Sequence, residues 1–297
     1  MLRLRSMVEI TLRCEGALVV RRKDVLLSSG TRSVEIAENL TMSDLTLSIV
    51  SHGHGALLRT LLRDLNQIAS LRGASVIITL NVPEERIDHA SYPNLRVDLV
   101  ENPIPMGFST NHNAAFRRCN SEWFAILNPD LHVTDDVFTR LLATVRRSPR
   151  IALVAPVVTD ATGAVEDSVR ANLTPFAVFR RVFGARRKVP EPTESHEFRW
   201  FAGMCLLLRS SAFRAVGGFD ERYFLYCEDY DLCARLHLTG YELKLDPTST
   251  VVHEARRSSH SSLRHFRWHL CSLLRVWSSY PVWKIAIGAD RGSKSQG

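Results

Sequence analysis

From residue 45 onward, short apolar runs alternate with longer stretches in which leucines recur every three or four positions. The run 45–50 (LTLSIV) is uniformly apolar or small, and Ser51-His52-Gly53-His54-Gly55 breaks it. Leu57, Leu58, Leu61, Leu62, Leu65, Ile68 and Leu71 then fall at helical spacing. The same reading predicts strands at 74–80, 95–100, 123–127 and 151–158, a short helix at 111–118, and a helix presenting Val137, Leu141, Leu142 and Val145 on one face. Asp135 and Asp136 open that last helix, where negative charge suits the N-terminal dipole. Further on, a strand is predicted at 204–208, helices at 210–216 and 230–238 with Gly240 just past the second, and one or two strands at 242–252. Residues 160–198 are polar and basic with three prolines and read as a loop-rich connection.

Strands separated by helices predict an α/β fold with a mostly parallel sheet and right-handed crossovers. Ligands of such sheets sit beyond the carboxyl ends of the strands. The turn after Val50, Asn81, the pair Glu101-Asn102 and the tripeptide Asn128-Pro129-Asp130 all lie at those ends. Residues 1–43 differ in character from the rest of the chain. Segments 8–12 and 17–27 read as a weak hairpin, and Met42, directly before the first strong strand, is a candidate start of the native chain.

Composition changes this picture little. The chain has 297 residues, 45% hydrophobic and 23% charged, ordinary for a packed globular protein. Its six cysteines form no C-x-x-C pair, which disfavours a zinc knuckle or a disulfide framework and fits free thiols in a reducing cytosol, with Cys205 and Cys233 as core residues. There is no G-x-G-x-x-G run after the first strand and no Walker A motif, so a dinucleotide enzyme or P-loop ATPase is disfavoured. Net charge is +7, concentrated near the N-terminus, at residues 180–188 and at 256–275. Residues 258–278 read as a basic, aromatic-rich helix. The apolar stretch 271–287 is interrupted by Arg275, Pro281 and Lys284, so it can lie on a membrane but not cross one.

Three groups carry candidate chemistry. A carboxylate at a strand end, Asp130, can hold a hard divalent cation through oxygen. In Cys227-Glu228-Asp229-Tyr230-Asp231, three acids open a helix, one placed to act as a general base and another to anchor structure. His253 follows a strand and is either a structural histidine or a metal ligand that reinforces Asp130.

In order along the chain, the segments LTLSIVSHGHG, ENPIPMGFSTNHNAAF, WFAILNPD, FAGMCLLLRSSAFRAVGGFDERYFLYCEDYDLCARLHLTGY and VVH resemble the family 2 inverting glycosyltransferases of the GT-A fold, closest to a rhamnosyltransferase-like branch, over residues 45 to about 265. The resemblance implies that Ser51, Asn81, Asn102, Gly107, Asn111 and Asn128 line a nucleotide-sugar donor. It implies that Asp130 is the metal-binding acid of a D-x-D element, with Asn128 in place of the first Asp, and that His253 stands near the metal, Mg²⁺ or Mn²⁺. Asp229, with Glu228 beside it, matches the catalytic base. Gly203 and the turn Gly218-Phe219-Asp220 match the acceptor side. The same resemblance divides the chain into an N-terminal extension (1–43), a nucleotide-sugar half (44–158), an acceptor and base half (159–255) and a basic C-terminal helix and tail (256–297). The partners implied are a nucleotide sugar and a glycan or lipid-linked acceptor of cell-surface polysaccharide synthesis. Peripheral contact at the inner face of the cell membrane is expected, and nucleic acid is not. Two other readings stand beside it: a sugar nucleotidyltransferase, and a non-catalytic basic module that binds membrane or nucleic acid. Oligomeric state is left open.

Overall fold

The computed structural model of the protein describes residues 44–183, 198–254 and 263–294. The expected hairpin at 8–12 and 17–27 and Met42 lie outside them. Strand β1 (Leu45–Ser51) is followed by α1 (Gly55–Gln67), β2 (Ser75–Leu80), β3 (Arg96–Glu101), α2 (Phe108–Arg117), β4 (Trp123–Leu127), β5 (Leu131–His132), α3 (Val137–Val145) and β6 (Ile151–Thr159). The second half adds β7 (Val169–Ala171), α4 (Pro175–Phe183), β8 (Arg199–Phe201), β9 (Cys205–Arg209), α5 (Ser210–Ala215), α6 (Glu228–Leu238), β10 (Glu242–His253), α7 (Leu263–Trp277) and α8 (Tyr280–Lys294).

Eight strands form one sheet in the order β3-β2-β1-β4-β9-β6-β10-β5. Its pairings are parallel except at β9 and β5, which run against their neighbours. The sheet therefore draws on both halves of the chain, because β9 sits between β4 and β6. Apolar runs explain the burial. All of β4 and all but one residue of β6 are buried, as strands covered on both faces require. Helix α1 buries Leu57, Leu58, Leu61, Leu62 and Leu65 along one stripe, about 1.5–3 kcal/mol per side chain.

Several elements differ from the sequence reading. Helix α2 begins at Phe108, three residues before the periodicity alone places it, and α6 begins at Glu228 rather than Tyr230. The segment read as a loop-rich connection contains β7 and α4. Strand β10 is a single strand of 12 residues, bulged between Asp246 and Thr250. Pro247 falls in that bulge, where no ladder hydrogen bond is lost. The C-terminal basic segment is two helices, not one. Pro281 stands in the first turn of α8, where its missing N–H needs no partner.

Candidate active site

The carboxyl ends of β1, β2 and β3 meet in a network of asparagines. The Oδ1 atom of Asn81 accepts from the Asn102 amide and from the backbone N–H of Met106, both at 2.8 Å. Its amide donates to the Met106 carbonyl at 2.9 Å and to His52 Nδ1 at 3.0 Å. Asn102 also donates to Asn111 Oδ1 at 2.7 Å. Three of the expected donor-site residues are thus brought together. Asn81 also organises the loop that follows β3. Both of its amide hydrogens and both acceptor positions are taken within the protein, so it shapes the loop 102–107. Ser51 behaves alike. It is fully buried, its Oγ donates to Glu84 Oε2 at 2.9 Å and it accepts from the N–H of His54 at 3.2 Å. Glu84 also accepts from the N–H of Gly53 at 3.3 Å, and nothing in the sequence pattern singles it out.

Gly107 caps α2. A Cβ built there would meet the Phe224 carbonyl oxygen at 2.6 Å, and the neighbouring Phe108 N–H donates to that same oxygen at 2.9 Å. The donor-side loop is thereby pinned to the segment that leads into α6.

That segment positions the candidate acids Glu228 and Asp229. Tyr226 (φ 73°) and Cys227 (φ 66°) are the non-glycine residues with left-handed backbone among those described, at a cost of about 1–3 kcal/mol each. The strained pair reverses the chain immediately before Glu228 and Asp229. Helix α7 holds it. Tyr226 Oη lies 2.9 Å from His265 Nδ1, Ser272 Oγ donates to the Leu225 carbonyl at 3.0 Å, and the rings of Phe224 and Trp268 stand 4.9 Å apart. No periodicity reveals such strain, so the sequence gives no sign of it.

Asp229 accepts from the Gly203 N–H at 3.0 Å and from the Tyr230 N–H at 2.8 Å. The next residue after Gly203, Met204, accepts at its carbonyl from the Asn128 N–H at 2.9 Å. Asp229 therefore abuts the loop that borders the 128–130 edge. Gly203 has little room for a side chain, since a Cβ would stand 3.2 Å from Phe108 Cζ. The two acids of the base segment are electrostatically distinct. Burial raises both above the ordinary carboxylate range. The charge of Asp229 raises Glu228 further, and Glu228 Oε2 is buried without a partner. Asp229 has the nearby charge of Arg170 and two backbone donors to favour its anion. Burial and the neighbouring charge of Asp229 favour the neutral form of Glu228, whereas Arg170 and the backbone donors favour the anion of Asp229. Asp231, the third acid, pairs with Arg235 at 2.7 Å and anchors the helix.

At the far side of the edge, His253 Nε2 lies 3.3 Å from Asp130 Oδ2, and its Nδ1 lies 3.0 Å from Glu166 Oε2. Burial disfavours the charged ring, but the hydrogen bonds and charges of Asp130 and Glu166 raise its pKa above the ordinary value. The other carboxylate oxygen of Asp130, Oδ1, is buried and has no partner. Among the described residues no cluster of three or more His, Cys, Asp or Glu is set to hold a metal. Two protein donors still suit Mg²⁺ or Mn²⁺, which complete their shells with substrate phosphates and water. The orphaned oxygen of Asp130 fits that role.

The turn 218–220, expected on the acceptor side, packs against α2. Phe219 is 2% exposed and packs edge-on against Phe108 and Phe213. Its backbone N–H donates to Asn113 Oδ1 at 2.9 Å, and Asn113 returns a bond to the Phe219 carbonyl. Gly218 has φ 73°, and a Cβ there would meet Asn113 Oδ1 at 2.6 Å. Asp220 is engaged by Arg222. This turn fastens α2 to the base segment.

Residues 43–270 match the family described as Glycosyltransferase like family 2. The chain is 30% identical to the rhamnosyltransferase WbbL of Escherichia coli over 240 residues, which cover 76% of this chain and 90% of that one. It is 31% identical over 249 residues to an N-acetylglucosaminyl-diphospho-decaprenol L-rhamnosyltransferase of Mycobacterium tuberculosis, covering 75% and 79%. Its fold is similar to that of a mannosyltransferase from Pyrobaculum calidifontis solved with GDP-Man and Mn²⁺, with TM-score 0.56, 16% identity, and coverage of 83% and 68%. The sheet order and these matches agree, and the chain belongs to glycosyltransferase family 2 as an α/β enzyme of the GT-A fold.

Proposed function

We propose that the protein transfers a sugar, rhamnose by likeness to two of its relatives, from a nucleoside-diphosphate donor to a hydroxyl of a glycan or lipid-linked acceptor, with inversion at the anomeric carbon. The observation that carries this reading is the hydrogen bond from Gly203 to Asp229, which sets that carboxyl group against the loop bordering Asn128 and Asp130. Asp229 takes the proton of the acceptor hydroxyl as that oxygen attacks the anomeric carbon. The bond from that carbon to the diphosphate oxygen breaks, and the nucleoside diphosphate leaves with the electron pair. Gly203 and Tyr230 hold Asp229 at a fixed angle. Asp130 and His253 would hold a divalent cation, which when bound supplies positive charge beside the leaving diphosphate. Glu166 would fix the ring of His253 with Nε2 toward Asp130. The setting proposed for this reaction is the cytoplasmic face of the membrane, in synthesis of a cell-surface polysaccharide.

A panel of nucleotide sugars tested with Mn²⁺ and a polyprenyl-diphosphate sugar acceptor checks the reading. Release of a nucleoside diphosphate with glycosylated acceptor supports it. Release of inorganic pyrophosphate instead would favour a sugar nucleotidyltransferase.

A further inference from the structure

Of the twelve most exposed large apolar side chains among the described residues, eight lie on α4, α7 and α8. On α7 they are Phe266 (67% exposed), Leu270 (43%) and Leu274 (53%). Their spacing of four places them on one side of the helix. The opposite side is the one that holds the catalytic loop, through His265, Trp268 and Ser272. Helix α8 repeats the division. Val282 and Ile285 are buried, whereas Trp283 and Ile287 are 45% and 56% exposed. Helix α4 starts at the same corner. Just before it, Asn172 donates to the Val282 carbonyl and Leu173 accepts from Trp277 Nε1, and Phe176 on its first turn is 69% exposed.

Charge identifies what covers this face. Helices α4, α7 and α8 together carry eight lysines or arginines and a single acid, Asp290 near the end of α8. Arg267 follows Phe266 on the outer side of α7. A second copy of the chain would bring the same positive charge against itself. An anionic bilayer offers negative headgroups to the cations and an acyl boundary to the aromatic and leucine side chains. No helix among the described residues is long and apolar enough to cross a membrane, so the contact is with its surface.

We propose that α4, α7 and α8 form a docking face for an anionic phospholipid bilayer, with Phe266, Leu270 and Leu274 entering the interface and Arg267 at the headgroups. The use of this face rests on the proposed lipid-linked acceptor; its evidence does not. Because the inner side of α7 braces the segment leading to Asp229, docking brings the site to the depth of a lipid-borne sugar.

The test is flotation of the full-length chain with phosphatidylglycerol–phosphatidylcholine vesicles and with pure phosphatidylcholine vesicles. The wild type is expected to float with the first, less so in high salt, and weakly with the second. The triple variant Phe266→Ser, Leu270→Ser, Leu274→Ser and the single variant Arg267→Glu are expected to lose roughly tenfold or more of that binding. Phe176→Ser, on a different helix, is expected to weaken it as well, so misfolding of α7 alone cannot decide the outcome. Melting curves and donor-induced thermal shifts are expected to stay as in wild type. Unchanged flotation in all three variants overturns the proposal. So does self-association, or retention on a single-stranded oligonucleotide, that the triple variant abolishes while vesicles are ignored. Transfer to a water-soluble acceptor analogue reads the proposed reaction separately, since the variants are expected to keep it even if docking is lost.

Discussion

His253 Nε2 stands 3.3 Å from Asp130 Oδ2, joining the end of β10 to the end of β4 across the sheet edge. On the other side of the ring, Glu166 takes Nδ1 at 3.0 Å. A histidine held in this way by a carboxylate presents its second nitrogen in a fixed direction.

Glu166→Gln is therefore expected to weaken Mn²⁺ affinity roughly 10- to 100-fold, and Asp130→Asn to weaken it more. Mn²⁺ titration followed by electron paramagnetic resonance, in the presence of a nucleoside diphosphate, measures both. Wild-type affinity in Asp130→Asn would remove the cation from this pair.

Asp229→Asn is expected to lower transfer by roughly 10²-fold or more while leaving donor binding nearly intact. Glu228→Gln is expected to be milder, because burial and the charge of Asp229 favour the neutral form of Glu228 and glutamine is an uncharged side chain of the same shape. Single-turnover rates with saturating donor distinguish the two. Equal losses in both variants would contradict the assignment of the base to Asp229.

The pH dependence arises from the same pair. A base works when deprotonated, so activity falls as pH drops through its pKa. Burial raises the Asp229 pKa, and the nearby charge of Arg170 opposes that rise. The acid limb is expected above the ordinary aspartate range of about 3.9. Arg170→Met removes the opposing charge, raises the pKa further and is expected to move the limb to higher pH. A pH profile of kcat/KM for the two proteins checks the sign.

Gly107→Ala places a Cβ 2.6 Å from the Phe224 carbonyl oxygen. Backbone has to move, so stability is expected to drop by about 1–3 kcal/mol, and donor binding is expected to weaken with it. Denaturant melts and donor-induced thermal shifts record both effects.

Asn81→Ala removes a side chain that makes four hydrogen bonds, leaving the Asn102 amide and the Met106 backbone short of partners. A loss of about 1–3 kcal/mol is expected for a buried group left unpaired. Combined with Asn102→Ala, the losses are expected to be less than additive, because the second change removes a group the first has already orphaned. A double-mutant cycle on unfolding free energies tests this.

The strands and most helices were legible because each is a local pattern. A run such as 123–127 is apolar over a strand's length, and the leucines of α1 recur on one stripe. The ends of β1, β2, β3 and β4 could be placed from those runs, and with them Ser51, Asn81, Asn102, Asn128 and Asp130 as residues of a strand-end site. Helices α2 and α6 begin earlier than their periodicity, because Phe108 is fixed by Phe224 and Phe219 and Glu228 directly follows the left-handed pair Tyr226-Cys227. Glu84, Glu166 and Arg170 were missed for a related reason. Each is an ordinary polar residue in a turn or short strand until the fold brings Ser51, His253 or Asp229 near it.

By itself the sequence determined the order of elements, the apolar faces they bury and which polar residues end each strand, since these depend on neighbours within a few positions. Only the tertiary structure decided that β9 runs backwards between β4 and β6, that Phe219 lies in the core and that His253 faces Asp130. It also set Glu228 and Asp229 in different electrostatic surroundings. Pairing register, burial and the field at a buried carboxylate are set by groups far away in the chain, and those meet only when the sheet closes.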